Sequence, residues 1–133
     1  MKEKDFVSAL KESEGFRALQ GVTQEEVSKA EKALEVVFAS EYKDYLITYG
    51  VATIKGHEFT GLGSSARLSV IDNTLQERSI HPDLENKYYV IEQCNYEGFV
   101  VLQSADGKVY LLKPNMNIEF VAESLATYIS DTI

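Results

Sequence analysis

GVTQEEVSKAEKALEVVFASEYKDYLITYGVATIKGHEFTG, residues 21–61, is the stretch around which the rest of the chain is read. Thr23-Gln24-Glu25-Glu26 has the form in which a threonine hydroxyl and a glutamate three residues on satisfy each other's orphan amides at a helix start. Val27, Ala30 and Leu34 follow at i, i+3 and i+7, while Glu25, Lys29, Lys32 and Glu35 take other faces. This predicts an amphipathic helix of about three turns. A second helix is expected from Ser40, a good N-cap residue, with Glu41 at the positive end of the dipole. Tyr42, Tyr45, Leu46 and Tyr49 repeat at helical spacing up to Gly50. Three tyrosines on one helix read better as core than as a recognition stripe, with rings buried and hydroxyls at the wet edge. Residues 51–54 and 57–59 then read as short strands around a turn at Lys55-Gly56.

Working outward, residues 2–11 carry Phe6, Ala9 and Leu10 at helical spacing, and Gly15 offers a stop. Downstream, residues 68–71 read as a strand, Asp72 as the cap of a short helix through Arg78, and His81-Pro82-Asp83 as a break. Residues 87–93, 98–103 and 109–112 are rich in β-branched and aromatic side chains. They are separated by Asn95-Tyr96-Glu97-Gly98 and by Ala105-Asp106-Gly107-Lys108, of which Asp106-Gly107 is a hairpin signal. No connection among the three is long enough for a parallel crossover, so an antiparallel meander is expected. After Pro114, the residues Ile118, Val121, Ala122, Leu125, Tyr128 and Ile129 predict a terminal helix. The expected class is α+β, one domain over residues 1–133.

A chain of 133 residues can bury roughly two-thirds of its unfolded surface, so no covalent staple is required. With 44% hydrophobic and 26% charged residues it is too apolar for intrinsic disorder. The lone Cys94 permits no intramolecular disulfide and favours a reducing compartment, the cytoplasm. Residues 1–15 lack a continuous apolar segment, and no run approaches the ~18 apolar residues of a spanning helix, so neither secretion by that route nor a membrane location is expected. Thirteen basic against 21 acidic residues give a formal charge of -8, which disfavours direct nucleic-acid binding. The acidity either keeps the protein dispersed or serves fast capture of a basic partner.

Candidate chemistry is sparse. Gly61-Leu62-Gly63-Ser64-Ser65-Ala66 fits a relaxed dinucleotide fingerprint, but Arg67-Leu68-Ser69-Val70-Ile71 shows no 3.6 periodicity after it, so an ordinary strand-end loop is expected. His57 and His81 with a single Cys94 supply no paired soft ligands for zinc. A nucleophilic set of Cys94, His57 and Asp72 has no elbow or other local signature behind it, and Cys94 reads as a buried or half-buried thiol. Glu25 with Glu26, and Glu12 with Glu14, read as solvated charges. No catalytic constellation, metal or cofactor is expected.

The ordered set Gly21-Val22-Thr23, Glu31, Leu34, Phe38, Tyr42, Leu46, Tyr49, Gly50, Gly56, Glu58, Phe59 and Gly61 resembles the core pattern of the SUKH superfamily. That superfamily includes yeast cell-wall-assembly regulators and many bacterial immunity proteins. Tyr88-Tyr89-Val90-Ile91, Val109-Tyr110 and a terminal helix with Leu125 and Tyr128 follow the same order, so the resemblance spans most of the chain. One departure stands out: members commonly carry Leu-Pro where this chain has Phe38-Ala39.

The resemblance implies helices on one side of a twisted, mainly antiparallel sheet, and a non-enzymatic cytoplasmic immunity factor that blocks a cognate secreted toxin, often a nuclease. A nuclease presents a basic face to phosphates, and an acidic inhibitor can occupy that face with steered association. On this reading, the carboxylates of the irregular middle, Glu58, Asp72, Glu77, Asp83 and Glu85, are the expected contacts for a basic protein toxin. The yeast relatives suggest the alternative of a regulatory adaptor for endogenous signalling proteins. A third possibility is a small-molecule or nucleotide binder using residues 61–66.

Overall fold

The computed structural model describes residues 5–94 and 98–132. Asp5 is extended and its carboxylate accepts from the Ser8 amide at 2.8 Å, so helix α1 runs Phe6–Lys11. The expected helix therefore begins at Phe6, with residues 2–4 lying outside the described residues. A two-residue strand, β1 (Arg17–Ala18), follows; both residues are exposed, so no hydrophobic pattern announces it.

Helix α2 (Gln24–Leu34) has the predicted capping box, with Glu26 N–H on Thr23 Oγ1 at 3.2 Å and Thr23 N–H on Glu26 Oε2 at 3.4 Å. It buries Val27, Ala30 and Leu34. Helix α3 spans Ser40–Thr48, but its N-cap is Ala39 and no side chain caps it. The amides ahead of it are satisfied from elsewhere: Phe38 N–H donates to Glu31 Oε2 at 2.8 Å and Ala39 N–H to Tyr89 Oη at 2.9 Å. Ser40 is thus the first helical residue and is not needed as a cap.

Two glycines let backbone segments press on the end of α3. A Cβ on Gly21 would lie 1.7 Å from the Ile47 carbonyl oxygen, and one on Gly61 would lie 1.7 Å from the Gly50 carbonyl oxygen. No other residue fits either place without moving backbone.

Strands β2 (Ala52–Ile54) and β3 (His57–Glu58) form the expected hairpin and, with β1, a three-stranded antiparallel sheet in the order β1-β2-β3. The second sheet is an antiparallel meander of β4 (Tyr89–Gln93), β5 (Val100–Gln103), β6 (Val109–Leu112) and β7 (Ile118–Ala122). The first turn of the meander lies partly outside the described residues, which omit 95–97.

Two segments differ in type from the sequence reading. Residues 68–71 are not a strand: a 3₁₀ turn, Ala66–Leu68, leads into helix α4 (Val70–Ile80). Ser69, and not Asp72, is its cap, the serine hydroxyl accepting from Asp72 N–H at 3.2 Å. Residues 118–122 are strand β7, and the terminal helix α5 is confined to Leu125–Thr132. The cause is a register shift: Tyr110 pairs with Phe120 but Val109 with Ala122, leaving Val121 as an extra residue. That bulge breaks the two-residue alternation and leaves Ile118, Val121, Ala122 and Leu125 at spacings that imitate a helix.

The principal core lies between the helices and the inner face of the meander. Phe6 packs on Tyr45 and Phe59 with ring centroids 5.2 and 5.6 Å apart, Phe38 on Tyr89 at 4.8 Å, and Tyr42 on Tyr45 at 5.4 Å. The Tyr42 and Tyr45 rings are core, as expected, but their hydroxyls are not at a wet edge, whereas Tyr49 is half-buried and its hydroxyl donates to Val7 O at 3.4 Å. Tyr45 Oη donates to the Thr60 carbonyl and accepts from Ala52 N–H, both at 2.9 Å, while Tyr42 Oη lies 3.1 Å from Thr60 Oγ1. Burial pushes the pKa of both phenols up, so they remain neutral donors at any ordinary pH.

A further polar set ties α3 to the last helix. Glu41 is half-buried, and its carboxylate accepts from Leu125 N–H and from Gln103 Nε2, each at 2.7 Å. Gln103 Oε1 in turn accepts from Tyr89 Oη at 2.7 Å. A carboxylate at the N-terminus of α5 sits at the favourable end of that helix's dipole. On the outer face of the meander, Leu84, Tyr88, Val90, Val100, Leu102 and Leu112 form a second, smaller apolar cluster. Among the described residues no helix is long and apolar enough to cross a membrane.

Candidate functional site

Where β3, the 3₁₀ turn, α4 and β4 converge, they leave a pocket of about 270 Å³ lined by Glu58, Thr60, Ala66, Arg67, Leu68, Asn73, Gln76 and Gln93. Thr60 is fixed at its base: its amide donates to Ile91 O at 2.8 Å and its hydroxyl to Val90 O at 2.7 Å. Asn73, in the second turn of α4, donates through Nδ2 to the Arg67 and Ser69 carbonyls at 3.0 and 2.8 Å. Gln93, at the end of β4, donates through Nε2 to Asn73 Oδ1 at 3.2 Å and to Glu77 Oε2 at 3.1 Å. At the mouth, Arg67 grips Glu58 in two parallel bonds of 2.7 and 2.9 Å. The arginine's hydrogen bonds hold the Glu58 pKa below the usual carboxylate value. Both side chains remain substantially exposed.

The five carboxylates singled out in the sequence fall into different settings. Glu58 is on the rim of this pocket, bonded to Arg67. Glu77 is only 5% exposed and lies behind Gln93, with His81 Nε2 3.8 Å from its other oxygen. Asp72 is exposed in the first turn of α4. Asp83 and Glu85 are exposed in the segment after α4, Glu85 lying 3.8 Å from Lys87 Nζ. Arg78 anchors that segment through a 2.9 Å bond from Nη2 to the Asn86 carbonyl. Asn73, Gln76 and Gln93 were missed because uncharged amides carry no charge or motif signal; the pattern Ser69-x-x-Asp72, a helix start, was the clue available for placing Asn73 and Gln76 on one helix.

Behind β3 lies a buried polar set that spacing alone did not reveal. Glu92, 3% exposed, accepts from Tyr128 Oη of α5 and lies 3.0 Å from His57 Nδ1 of β3. The bond to Glu92 holds the His57 pKa above its ordinary value, against the opposing effect of burial. Cys94 is half-buried, and burial, assisted by the negative charge of Glu92, pushes its thiol up to about 11. A thiol in that condition is protonated at neutral pH and a poor nucleophile. The set of Cys94, His57 and Asp72 thus has an inert thiol and a histidine committed to a different carboxylate. Among the described residues, no group of three or more His, Cys, Asp or Glu side chains is placed to hold a metal ion.

The 61–66 loop folds onto its own neighbours. Gly61 N–H donates to Leu68 O at 2.8 Å and Leu62 N–H to Gly50 O at 3.0 Å, so these amides are not free to cradle a phosphate. Among the described residues no parallel βαβ unit follows, and Gly61 and Ser69 make an isolated parallel bridge. Residues 3–133 match the family model SUKH_5, described as SMI1-KNR4 cell-wall. A search of the curated proteins finds no match.

Proposed function

We propose that this chain, which belongs to the SMI1-KNR4 (SUKH) family over residues 3–133, acts by holding another protein and not by catalysis. The near-complete family match carries this reading, since membership points to an immunity or regulatory role. In the finer form, the partner is a cognate secreted toxin with a basic face, a nuclease being the leading class, and the chain neutralises it in the cytoplasm by covering its active site. The formal charge of -8 supports that form, because opposite charge steers association and suits a phosphate-binding face.

We place the contacts at Glu58, Asp72, Asp83 and Glu85, with Glu77 acting from behind through Gln93. Mixing the purified chain with the product of a neighbouring toxin-like gene tests the role. A stable complex and protection from toxicity are expected; neither being seen would sink it. Reversing the charge of Asp72, Asp83 and Glu85 together should weaken that complex and flatten its remaining dependence on salt, and an unchanged affinity would remove the contact assignment alone.

A second reading, a regulatory adaptor for endogenous proteins, is favoured by the cell-wall wording of the family description. The gene's neighbourhood separates the two. An adjacent toxin gene favours immunity, and a constant housekeeping neighbourhood favours the adaptor.

A further inference from the structure

On the outward face of the first sheet, sharing Leu68 with the pocket described above, lies a smaller and mainly apolar hollow of about 170 Å³. Its place follows from strand pairing. Arg17 lies opposite Thr53 and Thr53 opposite Glu58, so these three side chains stand in a row on one face, while Ala52 and Ile54 turn to the core. Leu19 N–H donates to Val51 O at 2.9 Å, which carries the pairing two residues further and puts Leu19 and Val51 on the same face as Arg17 and Thr53. With Leu68 from the 3₁₀ turn they give the hollow its apolar wall.

Charge decides what the hollow takes. The neutral hydroxyls of Thr53 and Ser64 and the main-chain groups of the lining serve donors and acceptors alike, so they choose no sign. Arg17 is the one charged residue of the eight in the lining, and among the described residues its guanidinium has no partner. Glu58, at the other end of the row, is already held by Arg67 in two bonds. On a chain of formal charge -8, an uncovered positive group beside an apolar hollow suits an aliphatic body that carries a carboxylate.

Shape narrows the source of that carboxylate. Leu19 is 51% exposed, so the hollow is shallow, and about 170 Å³ is well below the ~300–1,000 Å³ of pockets that enclose drug-sized molecules. A free acid of that size would bury little surface, whereas the end of a polypeptide adds contacts around it. β1 is the edge strand of its sheet, a place where an extended segment can pair. In such a segment the neighbours of a seated side chain point the other way, so an acidic residue next in sequence is turned from Arg17. A terminal residue carries its carboxylate on the same Cα as its side chain.

We propose that this hollow seats the C-terminal residue of the protein partner, an aliphatic one such as leucine or valine, with its side chain on Leu19, Val51 and Leu68 and its α-carboxylate on Arg17. This rests on the protein-partner reading above and adds to it a second contact, opposite in sign to the carboxylates placed there.

The test uses the whole chain and acetyl-Gly-Gly-Leu with a free terminal carboxylate as the probe, followed by NMR on the backbone amides of Arg17, Leu19 and Leu68. Saturable shifts are expected, and the same peptide with an amidated terminus should bind about twofold to fivefold more weakly, the range an exposed ion pair is worth. Arg17→Gln should bring the two peptides to equal affinity, and Leu19→Ser should weaken both. Both substitutions are at exposed positions, and unchanged amide resonances elsewhere confirm that the variants fold. No saturation by either peptide, an amidated peptide that binds as well as the acid, a preference for the acid that survives Arg17→Gln, or an unaffected Leu19→Ser would each overturn the proposal. So would acetyl-Asp-Leu-Gly amide or acetyl-Gly-Gly-Lys amide matching the free acid. The two readings fail separately. A flat titration beside an intact protein complex removes the seat alone, whereas saturation without any protein partner removes the partner reading alone.

Discussion

Residues 21–61 and the pocket that adjoins them at Thr60 use polar atoms in opposite ways. In the first, Tyr42 and Tyr45 carry their hydroxyls into the interior and close them on Thr60 and Ala52, so polarity there fixes geometry. In the second, Asn73 and Gln93 also turn their donors inward, yet Glu58, Arg67 and Gln76 on the same lining keep polar groups exposed. A satisfied buried network rigidifies, and a network satisfied on one side only is a rigid wall with chemistry left on its surface. Scaffold and candidate site thus differ in how many of their polar atoms are left over.

Truncation should separate the two regions most sharply. Phe59→Ala removes a fully buried ring that packs on Phe6, and by urea denaturation should cost about 3–5 kcal/mol. Gln76→Ala in the pocket should stay within about 0.5 kcal/mol. Similar costs for both would erase the distinction. Next in size, Tyr45→Phe keeps the ring but leaves Ala52 N–H buried without its acceptor, for an expected loss of about 1–3 kcal/mol. A neutral result would mean that the hydroxyl is not needed to set β2 against α3.

Ala39→Pro is a smaller and more pointed probe, because it restores the proline that relatives commonly carry. The Ala39 φ of -61° suits proline, which alone would favour the folded state by about 0.4–1 kcal/mol. The substitution also removes the N–H that donates to Tyr89 Oη, a buried bond whose loss costs about 1–3 kcal/mol, so a net destabilisation of about 1 kcal/mol is expected. A higher melting temperature would show that the proline's rigidity outweighs the bond.

The smallest effect is on pH. Because the His57 pKa is raised in the folded chain, its contribution to stability is complete below its ordinary value of 6.5 and is lost as pH rises through the higher folded value. Stability should therefore fall gently as pH climbs above 6.5, and His57→Gln should flatten that slope. An identical slope in the variant would assign it to another group.

Residues with strong local chemistry were legible from sequence. The Thr23–Glu26 box marked the start of α2, Asp106-Gly107 sits in the β5–β6 connection as expected, and the ordered glycines and tyrosines pointed to the family. Ala39 was not legible as a cap because its amide is satisfied by Tyr89, 50 residues away. Strand β7 was disguised by the Val121 bulge, and α4 began earlier than expected because Ser69, not Asp72, was the cap. Of the site, Glu58 could be singled out, whereas Asn73 and Gln93 acquire meaning only when α4 and β4 meet.

The carboxylate of Glu41 has a bearing on how the chain is made. Its partner Leu125 N–H lies 84 positions further along. At roughly 5–20 residues per second of synthesis, those positions take on the order of 4 to 17 s to be added. For that interval the N-terminal helices emerge with a carboxylate that the folded protein half-buries and that still depends on water for its hydrogen bonds. The nascent chain therefore has a reason to stay loosely assembled until α5 arrives, which ties the settling of α3 to the synthesis of α5.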